Sequence, residues 1–195
     1  GATPGTQANQ GAAIQLSTAQ LCAIFTGLVT DWNDITVGKI PYLNNAGGQV
    51  LAAFDYTNID NTGAAQRYTS SSLPIKIVYR GDGSGTSFIL TNYLANLCPL
   101  LDPTGTYNYK KIFTGVGVGG STTANLPSGK FSRLLDNIRA VSSSDQSDPF
   151  DVDDDEERPD PHWISASGSN HEALKIGTDP RFAGRIGYLS ADFTQ

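Results

Sequence analysis

The sequence has no long apolar segment and no surplus of basic residues. No apolar run approaches the roughly 20 residues that a membrane-spanning helix needs, so membrane insertion is not expected. The 195 residues carry a net charge of −6 at pH 7. Such a chain offers no basic stripe that could neutralise the phosphates of a nucleic acid. We therefore expect neither nucleic acid nor the membrane interior as a partner.

Ligands for a transition metal are also scarce, since the chain has only two histidines and two cysteines. The acidic run at 151–157 departs from an EF-hand calcium loop because Glu156 stands where glycine is required. We therefore predict no metal ion and no cofactor. Cys22 and Cys98 can be free buried thiols or a disulfide, and their spacing does not decide between the two.

Several nucleotide-binding and catalytic signatures are missing. The phosphate-binding loop of nucleotide hydrolases is absent because no lysine precedes Thr86. Residues 115–120 match G-x-G-x-x-G, but the residues after them do not begin a helix, as the dinucleotide fingerprint requires. No G-x-S-x-G elbow is present, which disfavours a serine hydrolase that pairs Ser84 with His162 or His171.

Apolar patterns that alternate between strands and helices indicate an α/β fold. A β-branched run predicts a strand at 75–79, and a helix follows at 85–97, where Ile89, Tyr93 and Leu97 share one face. The other predicted elements are a helix at 17–26, a short strand near 111–114, a helix near 130–137, a strand at 138–142, a loop-to-helix junction at 168–175 and a last strand at 186–189.

The strongest site signal is the sequence Arg-Gly-Asp-Gly-Ser-Gly-Thr at 80–86, between the predicted strand and helix. The free N–H groups and the positive dipole end at a helix N-terminus favour an anion. Arg80 can add a two-pronged contact to an oxyanion, and Asp82 can hold the guanidinium in place. The pattern predicts a site for a tetrahedral oxyanion. The alternative, that Ser84 or Thr86 only caps the helix, stays open.

The motif at 80–86 resembles the phosphate-contacting motif of periplasmic phosphate-binding proteins, the solute receptors of ABC phosphate transporters. Further blocks at 16–27, 77–98, 166–169 and 184–193 are most similar to the DING branch of that family. The resemblance implies one lobe of a type 2 periplasmic-binding-protein fold, with a mixed central sheet flanked by helices. It also implies that four residues bind phosphate, with Asp82 as the partner that holds the arginine: Arg80, Ser84, Gly85 and Thr86.

By the same resemblance, Cys22 and Cys98 are paired in a disulfide, which fits a periplasmic or secreted location. Only the middle lobe of the family is matched, so the implied partners are inorganic phosphate, a second lobe and an ABC transporter permease. Residues 1–13 are expected to be a flexible tail or hinge remnant. The lobe itself is expected at 14–195, with insertions at about 55–72 and 144–161.

The function that the resemblance implies is phosphate binding without catalysis. Two alternatives stay open: a phosphatase, because DING-like proteins have relatives described as phosphatases, and an extracellular interaction or adhesion domain with a vestigial anion site. Selection of phosphate over sulfate requires an acceptor for the proton of phosphate. In this family that acceptor lies on the lobe that the chain does not match.

Overall fold

The computed structural model describes residues 18–32, 72–117, 125–145, 162–177 and 184–190, and the backbone of four short strands between 40 and 66. The chain divides into two compact units, residues 1–75 and 76–195. A single lobe at 14–195 stays a prediction. The expected tail at 1–13 and most of the acidic segment 144–161 lie outside the described residues.

Within its described residues, the first unit has one helix and four short strands: α1 (Thr18–Thr26), β1 (Ile40–Leu43), β2 (Gln49–Ala52), β3 (Asn58–Ile59) and β4 (Ala65–Gln66). β1 pairs with β2, and β3 with β4, both antiparallel. The helix expected at 17–26 is therefore confirmed. The β3–β4 pair lies within 55–72, most of which is outside the described residues.

Within its described residues, the second unit has three strands and four α-helices: β5 (Lys76–Arg80), α2 (Gly85–Leu97), α3 (Tyr109–Thr114), α4 (Ser132–Asp145), β6 (Trp163–Ala166), α5 (Gly168–Ile176) and β7 (Arg185–Ile186). The strands form a parallel sheet in the order β6-β5-β7. The α/β class is confirmed, as are the strand at 75–79, the helix at 85–97 and the junction at 168–175.

The central strand β5 is covered on both faces of the sheet. Consecutive residues of a strand point to opposite faces, and both Ile77 and Val78 are completely buried. Such burial is typical of parallel strands, and the β-branched residues of this run suit it. Phe131, just before α4, stacks on Tyr79 with the ring centroids 5.2 Å apart. Strand β5 therefore lies at the centre of this unit's core.

The strand predicted near 111–114 is wrong, because these residues belong to α3. Tyr109, Ile112 and Phe113 are buried at positions i, i+3 and i+4, which is the period of a helix. The helix ends at Gly115, whose φ of 72° lies in the left-handed region that favours glycine. In so short a run the apolar side chains are compatible with a strand and with a helix, and only the spacing of the buried residues distinguishes the two.

The strand predicted at 138–142 is also wrong, because α4 continues to Asp145. Leu134, Ile138 and Val141 are buried at helical spacing. The last strand, predicted at 186–189, is shorter and covers only Arg185–Ile186.

Helix α2 buries a different face from the one that its large apolar residues predict. Ile89 is 69% exposed and Tyr93 is 39% exposed, whereas Ser87, Thr91 and Leu94 are completely buried. The Thr91 hydroxyl donates to the Ser128 carbonyl and accepts from the Ser128 N–H, both at 2.9 Å. Hydrogen bonds from small polar side chains therefore orient this helix.

Both cysteines, Cys22 and Cys98, are disulfide-bonded, and no free cysteine remains. The disulfide that the resemblance implies is therefore present. No helix in the described part of the chain has the length and apolar character needed to cross a membrane.

Candidate functional site

The candidate site lies where β5 ends and α2 begins. Arg80 is the last residue of β5 and lies opposite Ala166, the last residue of the parallel strand β6. The Gly81 N–H donates to the Ala166 carbonyl at 2.9 Å. Because parallel strands end at the same edge of a sheet, the loops after β5 and β6 meet there, and such an edge is where open α/β sheets bind ligands.

Asp82 and Ser169 hold the guanidinium of Arg80. Its Nε and Nη2 donate to the two carboxylate oxygens of Asp82 at 2.7 and 2.5 Å, and its Nη1 donates to the Ser169 hydroxyl at 2.8 Å. The Arg80 side chain is only 11% exposed. The Gly168 N–H donates to Asp82 at 3.1 Å, so the carboxylate is anchored as well.

The Arg80–Asp82 pair is fully ionised at neutral pH. The guanidinium hydrogen-bonds the Asp82 carboxylate, and with the Gly168 N–H it keeps the pKa of Asp82 well below its usual range. The same hydrogen bond raises the pKa of Arg80. A guanidinium has five N–H donors, and the bonds to Asp82 and Ser169 use three. One donor remains on each Nη without a partner among the described residues.

The first turn of α2 supplies further donors. Ser84 is the N-cap, and its hydroxyl oxygen accepts from the N–H groups of Thr86 and Ser87 at 3.2 and 3.4 Å. Its backbone N–H donates to the Gly129 carbonyl at 2.8 Å. The capping role considered for Ser84 is therefore observed, and its hydroxyl hydrogen has no acceptor among the described residues. In the described part of the chain, neither the Gly85 N–H nor the Thr86 hydroxyl has a hydrogen-bond partner.

Tyr188, which the sequence did not single out as a site residue, connects the two sides of the loop. Its hydroxyl accepts from the Arg80 backbone N–H at 3.1 Å and is 2.8 Å from the Ser87 hydroxyl. Its ring stacks on Phe131 with the centroids 5.5 Å apart. Burial raises the pKa of Tyr188 above its usual range, so the phenol stays protonated. One aromatic residue thus fixes the end of β5 relative to the start of α2.

Helix α5 also carries a buried carboxyl group, that of Glu172. The residue is 1% exposed, and its Oε1 accepts from the Tyr188 backbone N–H at 3.3 Å. Burial raises the pKa of Glu172 to about 7. Position 172 follows His171 in a polar stretch of the helix, so no apolar pattern in the sequence indicates its burial.

The other residues considered from the sequence lie as follows. His171 is exposed, and its Nδ1 is 2.8 Å from the Ser167 carbonyl. Gly115 of the glycine-rich segment ends helix α3, whereas the dinucleotide fingerprint follows a strand. The acidic run 151–157 lies outside the described residues. Among those that are described, no three acidic, histidine or cysteine side chains form a group that could hold a metal ion.

The sequence matches the family model described as "PBP superfamily domain" over residues 3–193. Among solved structures, it is similar to a phosphate-binding protein from Stenotrophomonas maltophilia, with 20% identity, a TM-score of 0.45 and coverage of 97% of this chain and 34% of that chain. It is also similar to the ancestral soluble variant of the human phosphate-binding protein, with 20% identity, a TM-score of 0.43 and coverage of 94% and 30%.

A structure described as a DING protein is similar as well, with 20% identity, a TM-score of 0.44 and coverage of 98% of this chain and 32% of that chain. The chain therefore spans about a third of the length of each of these structures. A search of curated proteins finds no match to the sequence.

Proposed function

The chain belongs to the PBP superfamily, and from that premise we propose that it captures inorganic phosphate at the start of α2, without covalent chemistry. One observation carries the proposal: Asp82 and Ser169 hold the Arg80 guanidinium by three donors, and one donor on each Nη has no partner among the described residues. An arginine fixed at the end of β5, just before the N-terminus of α2, presents these donors in a constant direction, which suits a tetrahedral oxyanion.

The proposed ligands are Arg80, Ser84, Gly85 and Thr86. Arg80 supplies two N–H donors, Gly85 a backbone N–H, and Ser84 and Thr86 their hydroxyl hydrogens. Ser84 can do this while it caps α2, because the cap uses the lone pairs of its oxygen and leaves the hydrogen free. Asp82 balances the charge of Arg80, so hydrogen bonds and the helix dipole provide most of the attraction.

We expect this chain alone to bind phosphate with a dissociation constant that is millimolar or weaker, because the proposed donors lie on one side of the anion. Each hydrogen bond to a charged group contributes roughly 1.5–3 kcal/mol, so the two or three bonds that a second lobe would add contribute about 3–9 kcal/mol, or at least two decades in affinity. We propose that a second lobe supplies the remaining donors and the acceptor for the proton of phosphate. The whole protein would then be a periplasmic or secreted receptor, which suits the disulfide, and would deliver phosphate to an ABC transporter permease.

The proposal is tested by an NMR titration of backbone amides with phosphate, with sulfate in parallel. The wild-type chain is compared with Arg80→Ala, and Arg133→Ala serves as the control. Arg133 is also an arginine, but its half-exposed side chain pairs with Asp136 on α4. We expect shifts concentrated at 80–87 in the wild type and in Arg133→Ala.

Arg80→Ala should weaken binding by about two decades, because two charged hydrogen bonds contribute at least about 3 kcal/mol. The proposal is wrong if tens of millimolar phosphate leave the wild-type amides at 80–87 unshifted. It is also wrong if Arg80→Ala binds as well as Arg133→Ala does.

A further inference from the structure

The start of helix α5 contacts both members of the Arg80–Asp82 pair, although it follows β5 by more than 80 residues. The Gly168 N–H donates to Asp82 at 3.1 Å, and the Ser169 hydroxyl accepts from Arg80 Nη1 at 2.8 Å. Gly168 has a φ of 79°, a backbone conformation that favours glycine. Strand β6 ends opposite Arg80, and one residue later α5 begins. The parallel register of the sheet thus brings the two junctions together.

We propose that Ser169 is a positioning residue, which fixes the orientation of the Arg80 guanidinium for the anion; this rests on the proposed function. Asp82 bonds the Nε and Nη2 side of the guanidinium, whereas Ser169 bonds Nη1. The Asp82 carboxylate is itself anchored to the start of α5 by the Gly168 N–H, but it does not contact the Nη1 side of the guanidinium. The hydrogen bond to Ser169 fixes that side directly to α5.

A serine suits this position because it accepts a hydrogen bond without adding negative charge. Asp82 already balances the positive charge of Arg80. A carboxylate at position 169 would accept from the same Nη1 atom, but its negative charge would repel an incoming anion. Because Ser169 accepts only one hydrogen bond from Nη1, one donor on each Nη has no partner among the described residues. These donors are already held in place, so the arginine side chain loses less conformational entropy when a ligand binds.

The first readout is independent of any anion. Rotation about the Nε–Cζ bond of Arg80 interchanges Nη1 and Nη2, and it must break the bonds that both nitrogens make. Losing one hydrogen bond of a charged group should speed this rotation about tenfold to a hundredfold. The rate is measured by exchange NMR on the ¹⁵Nη resonances of Arg80. A role of Ser169 in folding alone would leave this rate unchanged.

The variants are Ser169→Ala, which removes the acceptor, and Ser169→Thr, which keeps it. Ser167→Ala is the matched control, because Ser167 is the exposed residue before α5 and its side chain makes no capping hydrogen bond. We expect faster rotation and about threefold to tenfold weaker phosphate binding in Ser169→Ala only. Ser169→Thr and Ser167→Ala should match the wild type in both measurements.

Unchanged rotation in Ser169→Ala overturns the proposal, and so does faster rotation with unchanged phosphate affinity, because the contact would then not matter for the anion. If the wild-type chain binds no phosphate at all, the proposed function fails, and with it the role toward the anion. The rotation rate still decides in that case whether Ser169 holds Arg80.

Discussion

The buried carboxyl group of Glu172 makes the stability of this chain depend on pH near neutrality. Folding raises the pKa of Glu172 from an ordinary 4.5 to about 7, because burial disfavours the charged form. Below pH 4.5 the group is protonated in both the folded and the unfolded chain, and its contribution to stability is complete. Between pH 4.5 and about 7 the unfolded chain loses the proton first, so this contribution is lost as the pH rises.

The size of the effect follows from the two pKa values. At about 1.4 kcal/mol for each pH unit, Glu172 should lower the free energy of unfolding by about 3 kcal/mol between pH 4.5 and about 7. Asp82 does not add to the pH dependence of stability in this interval. Its pKa lies below the ordinary value of 3.8, so its contribution to stability is lost only as the pH falls below about 3.8.

The assay is urea unfolding of the wild type and of Glu172→Gln at pH 4.5, 6, 7 and 8. Glutamine keeps the oxygen that accepts from the Tyr188 N–H, but it does not titrate. Relative to the wild type, the variant should gain about 3 kcal/mol of stability between pH 4.5 and pH 8. If both proteins change in parallel over this range, Glu172 is not the group responsible, and the assignment of a buried carboxyl group is wrong.

Three further predictions concern the stability of the fold. Tyr188→Phe keeps the ring and loses the hydroxyl, so the free energy of unfolding measured in urea should fall by about 1–3 kcal/mol. An unchanged midpoint would show that the hydroxyl does not hold the loop in place. Gly187→Ala would make the new Cβ clash with the Ile176 side chain and bring it to 3.1 Å from the Val78 carbonyl oxygen, at an expected cost of about 1–3 kcal/mol in the same assay. A neutral variant would contradict the close approach. Reduction of the Cys22–Cys98 disulfide should lower the free energy of unfolding by about 4–5 kcal/mol, and equal urea midpoints with and without reductant would refute that estimate.

The sequence predicts the site loop better than its surroundings. The strand, the glycine-containing loop and the helix at 85–97 are encoded within about 20 neighbouring residues, where β-branched residues, turn residues and an N-cap serine act locally. The match over residues 3–193 confirms that the chain belongs to the PBP superfamily. The assignment of Arg80, Ser84, Gly85 and Thr86 as ligands stays a prediction.

The residues that complete the site come from distant parts of the chain. Ser169 and Tyr188 reach Arg80 across 89 and 108 residues, and only the register of the parallel sheet brings them together. Spacing along the sequence carries no information about that register. The burial of Glu172 has the same origin, since its neighbours in α5 show no apolar pattern around it.

The two wrong predictions of strands, near 111–114 and at 138–142, have a different cause. In α3 and at 138–142, short β-branched or aromatic runs fit a strand and one turn of a helix equally well. The helical period emerges only when Leu134, Ile138 and Val141 are read together. Short apolar runs therefore limited the prediction of the fold, and long-range register limited the prediction of the site.

The central claim, that residues 80–86 bind a tetrahedral oxyanion, is tested most directly by a crystal structure of the chain with arsenate, whose arsenic is located by anomalous scattering. We expect an arsenic peak at the start of α2, with oxygens at hydrogen-bond distance from the Arg80 Nη atoms and the Gly85 N–H. A peak elsewhere on the chain, or none at tens of millimolar arsenate, would contradict it.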